Sequence, residues 1–222
     1  MAPIEVERKR ALEDRAALER RLETAGLVAA GPIVEIDTYY SRPDVDFMET
    51  VECLRVRERE GGCEITYKPA SDATTRSAAG VIAKKETDVA LADADQAARA
   101  HDLLEALGMV RLARVEKRRV CYRDSGRPGL SVVVDTVVGA GSFIETEILS
   151  EGPSQEAVRR LEEVERLLGV DTLPVVTSPY RDLVMGVGVS VPFDASRRGL
   201  SRNALGLSRG DRSPTARGAF HE

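Results

Sequence analysis

Cysteine and histidine are scarce in this sequence, and their scarcity removes several classes of chemistry. Cys53, Cys63 and Cys121 are odd in number and form no C-x-x-C pair. Neither a disulfide framework nor a thiolate zinc site is signalled, and small, partly buried hydrophobes are the expectation. His101 lies inside a helical pattern and His221 near the end, so no histidine triad or histidine metal cluster is anchored. Long apolar runs are missing too. The most apolar stretch, "LSVVVDTVV", is broken by Asp135, which argues against a membrane span. The opening "MAPIEVERK" has no signal-peptide core, so a cytoplasmic location is expected. An overall basic charge is also lacking. The net charge is −5, and after Ala195 six arginines face only Asp211 and Glu222, so the acid is concentrated in the body of the chain. That balance argues against a partner made of nucleic acid polymer, but leaves an enclosed anion site open.

What is present is charge in alternation. In "IEVERKR", Glu5, Glu7 and Lys9 fall on every second residue, and in a strand they share one face. Taken alone, such a face is simply in water. The same spacing returns at Arg55 and Arg57, at Lys84, Glu86 and Asp88, at Lys117 and Arg119, and at Glu145 and Glu147. One charged face is surface; many, from strands that curl together, describe a wet, charged interior.

In chain order, the spacing predicts a first strand and then a helix over Arg10–Ala25, with Ala11, Leu18, Leu22 and Ala25 on one face and Gly26 ending it. "PIVEIDTYYS" reads as a strand. "ECLRVRERE" and "CEITYKP" pair across Gly61-Gly62 as a hairpin, and Ala70–Gly80 is a loop. "GVIAKKETDV" reads as one strand, followed by a helix capped by Asp93 with Gln96 three residues on, running to Leu107 before Gly108. Three further strands follow: "VRLARVEKRRVCYRD", "LSVVVDTVV" and "SFIETEILS". A helix capped by Ser154 then carries Ala157, Leu161, Val164 and Leu168 as far as Gly169.

Strand, helix and glycine thus occur three times. The fold class expected is α+β: a closed eight-stranded antiparallel barrel with helices packed outside. The domain spans 1–187, and the Arg-, Ser- and Gly-rich stretch 188–222 reads as a disordered tail.

The inward bases are Lys9, Arg55, Arg57, Lys68, Lys84, Lys117 and Arg119; the inward acids are Glu5, Glu7, Glu86, Asp88, Asp135, Glu145 and Glu147. These sets are able to neutralise each other as salt bridges. Desolvation offsets much of such an attraction, so a lumen built of them makes better sense if it holds something. Lys and Arg suit phosphate oxygens, and clustered carboxylates suit Mg²⁺ or Mn²⁺. Together they describe a metal-bound polyphosphate.

"IEVERKR" resembles the E-x-E-x-K signature of the CYTH superfamily, the triphosphate tunnel metalloenzymes, which include class IV adenylate cyclases, thiamine triphosphatases and inorganic triphosphatases. The resemblance continues in order through "ECLRVRE", "TYKP", "KKETD", "VEKRRVCY", "VVVDTVVGAGSFIETEI" and "SPYRDL", over roughly residues 4 to 186. "IDTYYSRPDVDFMETVECLRVRE" is most similar to the class IV cyclase branch. Two departures are Lys84 where an arginine is expected and Asp88 in place of a glutamate; lysine does not fork onto two oxygens as arginine does. The resemblance implies a closed antiparallel tunnel. It implies Glu5, Glu7, Glu145 and Glu147 as ligands of catalytic Mg²⁺ or Mn²⁺, with Asp135 assisting at that site. It implies Lys9, Arg55, Arg57, Lys68, Lys84, Lys117 and Arg119 as the grip on the triphosphate of ATP or another substrate. Tyr180 and Asp182 read as packing or end-closure residues.

A cyclase and a triphosphatase draw on the same residues, and only the subgroup resemblance favours the cyclase, which converts ATP to 3',5'-cyclic AMP and pyrophosphate. A non-catalytic nucleotide or polyphosphate sensor is expected to lose its metal carboxylates, yet all four glutamates stand here. The sequence leaves a homodimer open.

Overall fold

Alternation governs the fold. In β1 (Ile4–Ala11), Val6 is buried on the face opposite Glu5, Glu7 and Lys9. The computed structural model describes residues 4–72, 75, 77, 80–151 and 155–186. After β1 come α1 (Arg15–Thr24), β2 (Val28–Ala29), β3 (Ile33–Ser41), β4 (Cys53–Arg59), β5 (Gly62–Lys68), β6 (Ile82–Lys84) and β7 (Thr87–Leu91). Then follow α2 (Ala94–Ala106), β8 (Val110–Arg123), β9 (Leu130–Val137), β10 (Gly141–Ser150), α3 (Gln155–Leu168) and α4 (Tyr180–Val184).

The strands form one curled antiparallel sheet in the order β6-β1-β10-β9-β8-β3-β4-β5-β7, with β2 paired to β8. Its register sets Glu7 opposite Glu147 and Lys9 opposite Glu145. The convex face is apolar. Val6, Val120, Val132, Val134, Ile144 and Ile148 pack there with Leu18 and Leu22 of α1 and with Leu161 and Leu168 of α3. A second cluster seats Ala97, Ala100 and Leu104 of α2 on Val56 and Cys63. α1, α2 and α3 therefore lie outside, as expected, and most of the concave face is left to the charges.

Three expectations need correction. The expected count of eight strands gives way to nine along the sheet path, plus β2. No ladder joins β6 to β7 among the described residues, so the expected closed barrel is here a curled sheet. Second, the single strand expected through "GVIAKKETDV" breaks at Lys85-Glu86. Its halves sit at opposite ends of the path, β6 on β1 and β7 on β5. Third, the first helix begins at Arg15, not Arg10. The β1–β10 ladder extends to Ala11, and Arg8 and Arg10 send their guanidiniums outward to the buried Glu165 of α3, at 2.7 and 2.9 Å. Tertiary pairing overrides local helical spacing there.

The remaining ends follow local rules. Asp14 caps α1 by accepting from the Ala17 amide, and Asp93 caps α2 by accepting from that of Gln96. Gly26, Gly108 and Gly169, each just past a helix, have φ of +80°, +80° and +60°, where glycine carries no Cβ penalty. Ser154 and the expected tail 188–222 lie outside the described residues. No helix among the described residues is long and apolar enough to cross a membrane.

Candidate active site

One cavity of about 330 Å³ occupies the concave face. Every proposed base lines it: Lys9, Arg55, Arg57, Lys68, Lys84, Lys117 and Arg119. So do Glu5, Glu7, Glu86, Glu145 and Glu147. Tyr39 and Tyr180 of α4 also line the cavity and pack with Val115, Val137 and Phe143 in a third apolar cluster, which fits the packing-or-end-closure reading of Tyr180. Asp182, the other residue of that reading, forms an ion pair with Arg181 at 2.9 Å.

The acids divide into two groups. Carboxylate oxygens of Glu5, Glu7 and Glu147 lie within 4.8 Å of one another. Burial, then Glu147 and Glu7, push the Glu5 carboxyl up to about 10. Glu147 is raised to about 7 by burial, with Arg119 opposing and Glu145 and Glu7 adding; Ser131 donates to it at 2.5 Å. Crowded carboxylates that resist ionising are a site for a divalent cation, whose charge replaces the missing proton. This trio fits such an ion.

Glu145 and Asp135 stand apart from the trio. Arg119 donates from Nε and Nη2 to Asp135 at 2.8 and 2.6 Å, and from Nη2 to Glu145 at 2.8 Å. Burial pushes Glu145 up, but Arg119 and Lys9 outweigh it and hold it at about 2. Asp135 is fully buried behind Arg119, outside the cavity lining, and also accepts from the Tyr180 hydroxyl at 3.0 Å. Of the five acids expected at the metal, Glu5, Glu7 and Glu147 converge, while Asp135 and Glu145 are engaged by Arg119. Asp88, expected to point inward, is exposed on β7, opposite the buried Thr66.

The bases also differ. Arg57 donates from Nε and Nη2 to Asp37 at 2.6 and 2.8 Å. The Lys117 ammonium lies 3.2 Å from Glu35 and 3.5 Å from Asp37. Sequence reasoning missed Glu35 and Asp37, although "EID" carries the same two-residue spacing as the acids it found. Burial pushes Asp37 up, but Lys117, Arg55 and Arg57 hold it well below the usual carboxylate range. Arg55 is less committed: its nearest carboxylate oxygen, on Asp37, is 3.9 Å away, and its buried Nε makes no hydrogen bond. Lys68 forms ion pairs with Glu86 and Glu5. Lys84 donates to the carbonyls of Val51 and Pro69 at 2.7 and 2.8 Å. Val51 has a φ of +54°, unusual for a β-branched residue, so Lys84 grips a strained point of the loop before β4. Lys9 donates to the Ser178 carbonyl at 2.7 Å and stands 4.1 Å from the Tyr180 ring centre. Burial lowers the Lys9 ammonium, and burial together with Arg119 lowers that of Lys117.

A curled antiparallel sheet with helices outside and acids and bases sharing its lumen defines a class of protein, and comparison with known families agrees. The CYTH domain model matches residues 3–180, and the chain belongs to that family. A Methanocaldococcus jannaschii protein named as a candidate adenylate cyclase is 25% identical over 183 residues, 81% of this chain and 98% of its own. The solved PH1012 protein of Pyrococcus horikoshii superposes with a TM-score of 0.67 at 25% identity, over 81% of this chain and 99% of that one. A candidate adenylyl cyclase from Hippeastrum, described as having a dominant triphosphatase activity, superposes with a TM-score of 0.57 at 18% identity. It covers 84% of this chain and 98% of its own, a likeness of fold.

Proposed function

We propose that this chain is a metal-dependent enzyme acting on a triphosphate in the lumen, and that its reaction is the class IV adenylate cyclase conversion of ATP to 3',5'-cyclic AMP and pyrophosphate. The observation that carries the metal-dependent part is the convergence of Glu5, Glu7 and Glu147 within 4.8 Å, in the same cavity as Arg55, Lys68 and Arg119. On this reading the trio holds Mg²⁺ or Mn²⁺, which when bound supplies positive charge against the phosphate oxygens. Arg55, whose guanidinium is least committed, and Lys68 bind the phosphates. Arg119, fixed by Asp135 and Glu145, offers a pre-oriented guanidinium and needs no reorganisation at the moment of reaction. The 3′-hydroxyl attacks the α-phosphorus and pyrophosphate leaves, with the protein contributing position and charge. β6 and β7, two halves of one interrupted stretch, stand at the two ends of the sheet path around the lumen.

The cyclase assignment draws on the candidate adenylate cyclase relative at 25% identity. A second reading, hydrolysis of inorganic or thiamine triphosphate, draws on the activity described for the Hippeastrum protein. The test offers ATP, inorganic triphosphate and thiamine triphosphate with Mg²⁺ or Mn²⁺ and identifies the products. Cyclic AMP with pyrophosphate is expected. Orthophosphate released together with pyrophosphate from inorganic triphosphate, or with thiamine diphosphate from thiamine triphosphate, without cyclic AMP from ATP, would favour the second reading. Tight binding of a triphosphate with none of the three converted would replace the enzyme by a sensor.

A further inference from the structure

The lumen is not charged throughout. Ile33, Cys121 and Val133 all line the cavity, yet none belongs to the three apolar clusters of the fold. Register places them together. Cys121 pairs with Val133 across β8 and β9, and Ile33 pairs with Arg119, two residues from Cys121 on the same face of β8. Directly paired residues such as Cys121 and Val133 touch, and a diagonal neighbour such as Ile33 lies about 7–8 Å away on the same face. Ile33 and Cys121 are only half-buried, so this apolar wall is open to the cavity.

The wall adjoins the chemistry. Val133 pairs with Glu145 across β9 and β10, and Glu147 pairs with Ser131 one step further on. Cys121 lies near enough to Arg119 and Glu147 to feel both charges. Beyond it on the same face of β8 stands Arg123, exposed. An apolar wall has nothing to offer an inorganic triphosphate, which is acceptor oxygen on every side. It suits a flat, weakly polar group attached to the phosphates, with a guanidinium at the edge able to stack on it.

We propose that Ile33, Cys121 and Val133 seat the nucleoside of a nucleoside triphosphate, beside the carboxylate trio, with Arg123 over the exposed edge of the base. This deepens the triphosphate reading above and rests on it. The seat lies across β3, β8 and β9 from the trio's strands, so the phosphates enter the charged part of the lumen while the nucleoside stays on the apolar wall.

The test titrates ATP, inorganic triphosphate and thiamine triphosphate, each with Mg²⁺, into wild type, Cys121→Phe and Ile33→Ala, reading affinity by thermal shift. Filling the seat in Cys121→Phe is expected to weaken ATP about tenfold or more and to leave inorganic triphosphate within about twofold. Ile33→Ala should show the same selectivity at smaller size, and decides the matter if Cys121→Phe does not fold. Equal losses for ATP and inorganic triphosphate, or no loss for ATP, would overturn the seat. A loss confined to thiamine triphosphate would overturn the nucleoside as its occupant. Wild type binding inorganic triphosphate but not ATP would overturn the seat and leave the triphosphate reading standing; binding none of the three would sink that reading, and the seat with it.

Discussion

Without metal, Glu5 and Glu147 should make the protein less stable as pH rises, and the size of the effect follows from Glu147. Its carboxyl is raised from the ordinary 4.5 to about 7, while Glu5 is pushed further. In the unfolded chain these groups lose their protons near 4.5. Between that pH and about 7 the folded state holds a proton that the unfolded state has released, so stability falls with pH across the window and is not regained above it. For Glu147 alone the full difference corresponds to roughly 3 kcal/mol, reduced to about 2 by water in the cavity. That amounts to about 4–8 °C in Tm for a domain of this size. Melting curves of metal-free protein from pH 5 to 8 should show the fall, and Mg²⁺ or Mn²⁺ should reverse it more strongly at pH 8 than at pH 5. Glu147→Gln removes the charge, so at pH 8 without metal it should melt above wild type and respond less to metal. Its turnover should fall by at least about a hundredfold, as when one strong electrostatic contribution is lost. A metal-free wild type whose Tm is flat or rises over this window would refute the shared site. So would a Glu147→Gln variant that keeps full metal-dependent turnover.

Two neighbouring arginines should separate structure from binding. Arg57→Ala leaves the buried Asp37 without its bidentate partner and should cost about 3–5 kcal/mol in urea unfolding. Arg55→Ala, whose contact with Asp37 is long, should leave the unfolding midpoint nearly unchanged and weaken triphosphate binding about tenfold. Glu165→Ala strands the buried guanidiniums of Arg8 and Arg10 and should cost about 3–5 kcal/mol by the same measurement. Lys84→Met frees the Val51 and Pro69 carbonyls; limited proteolysis should then cut the loop before β4 faster than in wild type.

The lumen was legible in the sequence because a strand's side-chain period is exactly two, a local property that survives whatever the strand pairs with. Glu5, Glu7, Lys9, Arg55, Arg57, Lys68, Lys84, Lys117, Arg119, Glu145 and Glu147 could all be assigned to one face for that reason, and all line the cavity. Asp93 and Gly108 were legible in the same way, since capping depends on a few neighbouring residues. Partnership is not local. Glu145 and Glu147 look alike in the sequence, two residues apart on one face. Only the placing of β8 beside β9 gives Glu145 to Arg119 and leaves Glu147 to meet Glu5 and Glu7. Asp135 is drawn behind Arg119 for the same reason, and Arg57 is taken by Asp37, from a strand whose alternating acids Glu35 and Asp37 show their spacing but not their partners. Nor does the chain announce that "GVIAKKETDV" breaks so that its halves end the sheet path on different strands. Alternation assigns a face, but Coulomb energy depends on distance, and distances between strands far apart in sequence exist only once the sheet has curled.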